Sequence, residues 1–157
     1  MNTNIPQVDA KKISIISIRL LNGNITSTED AVKRNDTPLE CETQFIAKNS
    51  VNKSRNEFIT LLTIRLNAVD SNRVQVGITG EYTLEIRLRV ENLPEYIVPS
   101  EGNVVVLHHS LTGTLMSIAY STSRGIIFMR TLGSVLEGVI LPVINPLEIP
   151  GVSSMQN

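Results

Sequence analysis

Two adjacent histidines, a group of serines and one cysteine are the residues of this chain whose chemistry could go beyond packing. His108 and His109 are the place to look for a metal or a general base. Adjacent residues on a helix point about 100° apart, so the two rings do not easily share one ion, and no His or Glu partner follows four residues on. A place near a helix start, after a Pro/Gly-rich loop, suits surface or interface residues. Ser117, Ser121 and Ser123 invite a Ser–His pairing, yet they lack a Gly-x-Ser-x-Gly elbow and fall inside a helical stretch rather than on a strained turn.

Cys41 falls on the apolar parity of a strand, where a free thiol behaves as a small hydrophobe. As the only cysteine it can neither close an internal disulfide nor build a thiolate zinc site. Glu81 and Glu85 share a strand face with Arg87 and Arg89, which fits ion pairs better than a catalytic carboxylate pair. Gly77-Ile-Thr-Gly80 runs on into more strand, not into a helix, so it is no phosphate loop. No catalytic, metal-binding or cofactor-binding residue is assigned, and a protein that is not an enzyme is expected. Convergence of His108, His109 and Ser117 on one cleft would revive the catalytic reading.

Composition points the same way. The 157 residues are enough for one domain with a real core. Hydrophobic residues make up 41% of the chain and charged ones only 18%, below the roughly 25% usual in soluble domains. Too few charges to cover a surface imply burial in an oligomer or deliberate apolar exposure. A net charge of −1 and 4% aromatics give neither the field nor the stacking groups for nucleic acid, which is not an expected partner. The first residues lack an apolar signal region, and the longest apolar run, Gly138–Val143, is broken by Pro142. A cytoplasmic protein without membrane insertion is expected.

The elements must therefore position surfaces. Residues 1–12 read as a flexible segment, 13–149 as one domain and 150–157 as a flexible tail. Ile13, Ile15 and the pair Ile18/Leu20 begin a strand that should end at the turn signal Asn22-Gly23-Asn24. Thr26–Pro38 reads as a loop, Cys41–Ala47 as a half-buried strand, Asn49–Asn56 as a turn and Phe58–Leu66 as a third strand. From Val74 to Val90 every even position is apolar or glycine, the mark of one dry and one wet face. That stretch is too long for one flat strand, so Gly77 and Gly80 should bend it. Four strands in sequence suggest an antiparallel meander.

After Pro94 and Pro99 the spacing turns helical, from about residue 103 to 132. Leu111, Leu115, Ile118, Thr122, Ile126 and Met129 form an apolar stripe for sheet packing. Gly113, Ser117, Ser121 and Gly125 recur every four residues beside it, small enough for a helix of another subunit to approach. Gly133 closes the helix, and a proline-punctuated apolar segment leads to the C-terminus. The fold class is α+β: a four-stranded antiparallel sheet packed by one long helix in the C-terminal half.

This order of elements resembles the SecB family of protein-export chaperones. The residues that carry the resemblance are Tyr120 and Arg124 on the helix, then Pro142, Val143 and Asn145 beyond the break at Leu132-Gly133, with Thr79-Gly80-Glu-Tyr82 at a strand entry. It implies a homotetramer, a dimer of dimers with helices between sheets, that holds unfolded or preprotein clients in apolar grooves without ATP, in export or in guarding a dedicated client. Family members usually add a second C-terminal helix, for which Pro142, Pro146 and Pro150 leave little room. Export-linked members offer acidic residues to the SecA motor, but Val74–Ile78 has none, so SecA docking is not expected. The alternative is a non-catalytic structural or adaptor subunit bound to one fixed protein partner.

Overall fold

The computed structural model describes residues 6–33, 40–102, 104–152 and 155–156, with backbone alone at 32–33 and 155–156. Its elements are β1 (Ile13–Ser27), α1 (Glu29–Lys33), β2 (Glu40–Asn52), β3 (Glu57–Val69), β4 (Gln75–Val90), the two-residue strands β5 (Ile97–Val98) and β6 (Val106–Leu107), α2 (His109–Thr131) and β7 (Met155–Gln156). The chain is α+β, with a long helix on an antiparallel four-stranded sheet, as its patterning predicts. Among the described residues no helix is long and apolar enough to cross a membrane. Parts of the expected N-terminal segment, loop and tail (residues 1–5, 34–39, 153–154 and 157), and the expected helix start at 103, lie outside the described residues.

The strand order departs from a simple meander. β2, β3 and β4 follow one another through the tight turns at Lys53–Asn56 and Asp70–Val74, but β1 pairs with β4, giving the order β1-β4-β3-β2-β7. The turns force neighbours in sequence to pair, while the longer link from Ser27 to Glu40 carries the chain past the sheet end to its far edge. That is a Greek-key arrangement.

Strict alternation makes one face dry. Leu62, Ile64 and Leu66 of β3 and Leu84, Ile86 and Leu88 of β4 are fully buried, and cross-strand register sets Leu62 against Leu84 and Ile64 against Tyr82. Gly77 takes φ +80° where the β3–β4 register slips, a bulge that only glycine forms without strain. Gly80 does not bend the strand. It makes room instead, since a Cβ there would sit 2.9 Å from Leu136 Cδ1.

β1 does not stop at Asn22-Gly23-Asn24 but runs on to Ser27, pairing with β4 throughout. Its register slips between Ile15 and Ser17 and again between Leu20 and Asn22. Each bulge adds a residue and reverses parity. Ile13 and Ile15, then Ile18 and Leu20, then Ile25 thus all face the helix side, opposite Val90, Leu88, Ile86, Leu84 and Gly80.

The helix starts at His109, later than its spacing implied, because His108 serves as its N-cap: its Nδ1 accepts from Ser110 N at 3.3 Å. At the other end Gly133 adopts φ +73° just past Leu132, as predicted. After Thr131 the described residues hold no further α-helix. Turns over 132–138, an irregular stretch over 139–145 and a single 3-10 turn at Pro146–Glu148 follow. The stretch expected to trail off after Ile149 instead buries Val152 and adds β7, parallel, to the outer edge of β2.

Candidate functional site

The sheet's two faces divide the charges from the apolar surface. On the face away from α2, Arg65 pairs with Glu81 at 2.6 Å, Arg87 and Arg19 with Glu85 at 2.9 and 3.1 Å, and Arg89 with Glu57 at 3.3 Å. The hydrogen bond from Arg87 holds the Glu85 carboxyl below its ordinary range, against the opposing effect of desolvation. With so many of the chain's few charges on this face, the helix side is left apolar.

There α2 lies over β3 and β4 and the dry side of β1 is covered only in part: Ile13, Leu20 and Ile25 are half-buried against the core. Ile15 and Ile18 point to the helix side yet remain 47% and 42% exposed. Between β1 and the helix runs an open groove of about 700 Å³, lined by Ile18 and Leu20 from the strand and by Ser121, Thr122, Gly125, Ile126, Met129 and Arg130 from the helix. Arg130 is its one charged wall residue.

The predicted apolar stripe explains this groove. Residues 111 to 129 span about five full turns, so the stripe is one straight face. Its first half, Leu111 and Leu115, is fully buried against the core. Its second half is less covered: Ile118 and Ile126 pack against the core but are only half-buried, and Met129 is 65% exposed. The helix core seat is completed instead by Met116, Ala119, Ser123 and Ile127, a row that sequence reasoning missed. That row keeps the same steps of three and four and lies about a third of a turn round the helix from the stripe. Leu136, Val139 and Leu141 are buried in the same core.

The small-residue row divides too. Ser117, Ser121 and Gly125 are exposed, with nothing within 4 Å of a Cβ at Gly125. A Cβ at Gly113 would rest 3.5 Å from Leu147 of the same chain, which makes that position an internal seat. The residues that carried the resemblance cluster where the later chain crosses the helix. Tyr120 OH donates to Pro142 O at 2.6 Å, and Arg124 Nε donates to Leu141 O at 3.1 Å. Asn145 accepts from Leu147 N at 3.2 Å and so caps the Pro146–Glu148 turn. Val143 is 85% exposed. Tyr120 also meets Phe45 edge-on, with ring centroids 5.4 Å apart.

The residues first examined for chemistry are occupied elsewhere. His108 Nδ1 lies 2.7 Å from Ser110 Oγ. Ser117 donates to Gly113 O and Ser123 to Ala119 O within the helix. Burial pushes the Cys41 thiol up to about 11. From its ordinary value of 9.0 such a shift lowers the thiolate fraction at pH 8 about 100-fold, and the greater nucleophilicity of a more basic thiolate recovers only part of that. Cys41 in the folded protein is therefore expected to react roughly 10-fold more slowly with an aromatic disulfide reagent than in the urea-unfolded chain, as followed by absorbance. Equal rates would show an open, ordinary thiol.

Ile18 and Leu20 are the groove residues that spacing alone did not assign. Their signal was the parity slip from Ile13/Ile15 to Ile18/Leu20, which marks a bulge rather than a strand's end.

No protein-family model matches the chain, and no curated protein sequence does. Among solved structures it is similar to a Mycobacterium tuberculosis SecB-like chaperone in complex with a ChAD peptide from the HigA1 antitoxin. The identity is 15%, the TM-score 0.58, and the match covers 86% of this chain and 92% of that one. Greek-key sheet, long helix and returning apolar segment together make the fold SecB-like.

Proposed function

We propose that this protein is a non-catalytic, ATP-independent chaperone that shelters non-native polypeptide segments in the groove between β1 and α2. The observation that carries the reading is that groove: an open channel with one charged wall residue among the described residues, on a strand and a helix that also expose Ile15, Phe128 and Leu132. Contiguous apolar exposure of this kind is uncommon on proteins that have no partner. A SecB-like fold whose relative was solved with an antitoxin peptide supports a dedicated client over general export traffic. Refolding several unrelated denatured proteins in the presence of the chain, without nucleotide, tests it by light scattering. Broad suppression of aggregation is expected, and no effect at stoichiometric excess would sink the holdase reading in favour of an adaptor with one fixed partner.

We further propose self-association, as a tetramer, through the open helix row at Ser117; Ser121 and Gly125 of the same row line the groove and are left to the client. Small side chains let a second helix approach to about 8 Å. Ser117 is exposed, so a tryptophan there disturbs little within one chain but blocks such an approach. Ser117→Trp is expected to lower the mass measured by multi-angle light scattering to that of a smaller species, with an unchanged far-UV spectrum. The same mass for both proteins would remove this row from any subunit contact.

A further inference from the structure

The outer edge of β2 is occupied by the chain itself. Beyond the Pro146–Glu148 turn, buried Ile149 and Val152 hold a short segment against the strand. Ala47 N donates to Pro150 O at 2.9 Å, and Asn49 Nδ2 donates to Val152 O at 3.1 Å. Met155 and Gln156 then pair with Asn49 and Ser50, parallel in a sheet whose other pairings are all antiparallel.

The fit is incomplete in two respects. Asn49 and Thr60 are direct register partners, and both Asn49 Oδ1 and Thr60 Oγ1 are buried without a hydrogen-bond partner in the structure. Such atoms are rare in a settled core. The pairing is also short. From Glu40 to Ile46, β2 has β3 as its only strand neighbour among the described residues. An edge strand with free backbone groups is a template for another strand, and peptide capture by strand addition draws its affinity from those groups. One position in the segment is sterically selective. Gly151 has φ +92°, and a Cβ on it would overlap the Ala47 carbonyl oxygen.

We propose that the β2 edge is a docking strand for another polypeptide, and that Ile149–Val152, with Met155 and Gln156, is an internal, displaceable occupant of it. The partner it fits is a segment with branched aliphatic residues around a glycine turn, as Ile149 and Val152 stand around Gly151, which runs on into an extended strand as Met155 and Gln156 do. This deepens the client-binding reading by giving it a backbone contact separate from the β1–α2 groove.

Two variants of the full-length chain test it. Gly151→Val should prevent the segment from seating. A fluorescein-labelled peptide of residues 146–157 is then expected to bind this variant at least about tenfold more tightly than the native chain, where the tethered copy competes at high effective concentration. The same peptide carrying Gly151→Val should not bind. Equal anisotropy titrations for the two folded chains would overturn the proposal.

In the second variant, Ser50→Cys and Gln156→Cys, with Cys41→Ser, let oxidation lock the segment in place. Reduced, carboxymethylated lactalbumin, a permanently unfolded probe, is expected to bind the reduced form about tenfold more tightly than the locked form. Equal binding to both would count against the edge as a docking strand. The peptide measurement decides the edge even if aggregation assays show no holdase activity, so the two readings fail separately.

Discussion

Met129→Glu is expected to weaken capture of an unfolded client by about tenfold to a hundredfold while leaving the thermal midpoint of the chain almost unchanged. Met129 is 65% exposed, so it contributes little to the folded state, and surface substitutions of this kind usually fall within about 0.5 kcal/mol. In a filled groove it would be covered. Full burial of a methionine side chain contributes roughly 1.5–3 kcal/mol, and each 1.4 kcal/mol is about a factor of ten in affinity. A carboxylate loses that contribution and adds a desolvation cost of its own. Ile18→Glu, across the groove on β1, is expected to act in the same direction, which a wall residue on only one side would not predict. Val74→Glu is the control. Val74 is also exposed, but it stands before the start of β4, ten residues along the chain from Leu84, the register partner of Leu20. Isothermal titration with reduced, carboxymethylated lactalbumin reads all three. If Val74→Glu weakens binding as much as Met129→Glu, apolar exposure in general is responsible and the groove is not the site.

Periodicity was a good guide wherever one face of an element meets one neighbour. β4 is the clear case: its even positions from Ile78 to Val90 are all buried on the helix side. The helix was legible as a helix for the same reason, and its straight stripe from Leu111 to Met129 is a real face. What the stripe could not disclose is where the covering layer stops. Leu115 and Met129 are equally apolar and lie on the same side, yet one is in the core and the other walls a groove. The difference is set by what lies opposite each residue and not by the residue itself. For the opposite reason Ser123 looked polar and proved fully buried: its hydroxyl bonds back to Ala119 O, so it needs no solvent.

β1 was the least legible strand because two bulges reverse its parity. Read with one fixed period, Ile13 and Ile15 fall on the face opposite Ile18 and Leu20; Ile16 and Leu21 stand at the two slips with no register partner on β4, and both are exposed. Strand order was likewise hidden, since alternation fixes the face a residue points to but not which strand lies beside it. The returning segment after Thr131 shows a third limit. Its prolines excluded a helix, correctly, but buried Val152 is held by an Asn49 side chain more than a hundred residues earlier, and no local pattern announces such a contact.

Tyr120 and Arg124, which carried the resemblance to the chaperone family, make a prediction of their own, because they fasten the returning segment to the helix. Tyr120→Ala should destabilise the fold by about 3–5 kcal/mol, in the range for removing a large buried aromatic ring. Tyr120 is almost fully buried, and its loss leaves Phe45 without its edge-on partner. Tyr120→Phe separates the ring from the hydroxyl. It keeps the packing and removes only the bond to Pro142 O, and since Pro142 is exposed, water can replace the donor. The expected cost is about 1 kcal/mol or less. Urea denaturation of the three proteins measures both steps. The segment also carries Ile140 and Val143, 70% and 85% exposed, so loosening it should change client binding as well. In Tyr120→Phe a loss of affinity larger than the loss of stability would mean that the anchored position of the segment, and not the fold alone, shapes the binding surface. Equal small losses would confine Tyr120 to a structural role.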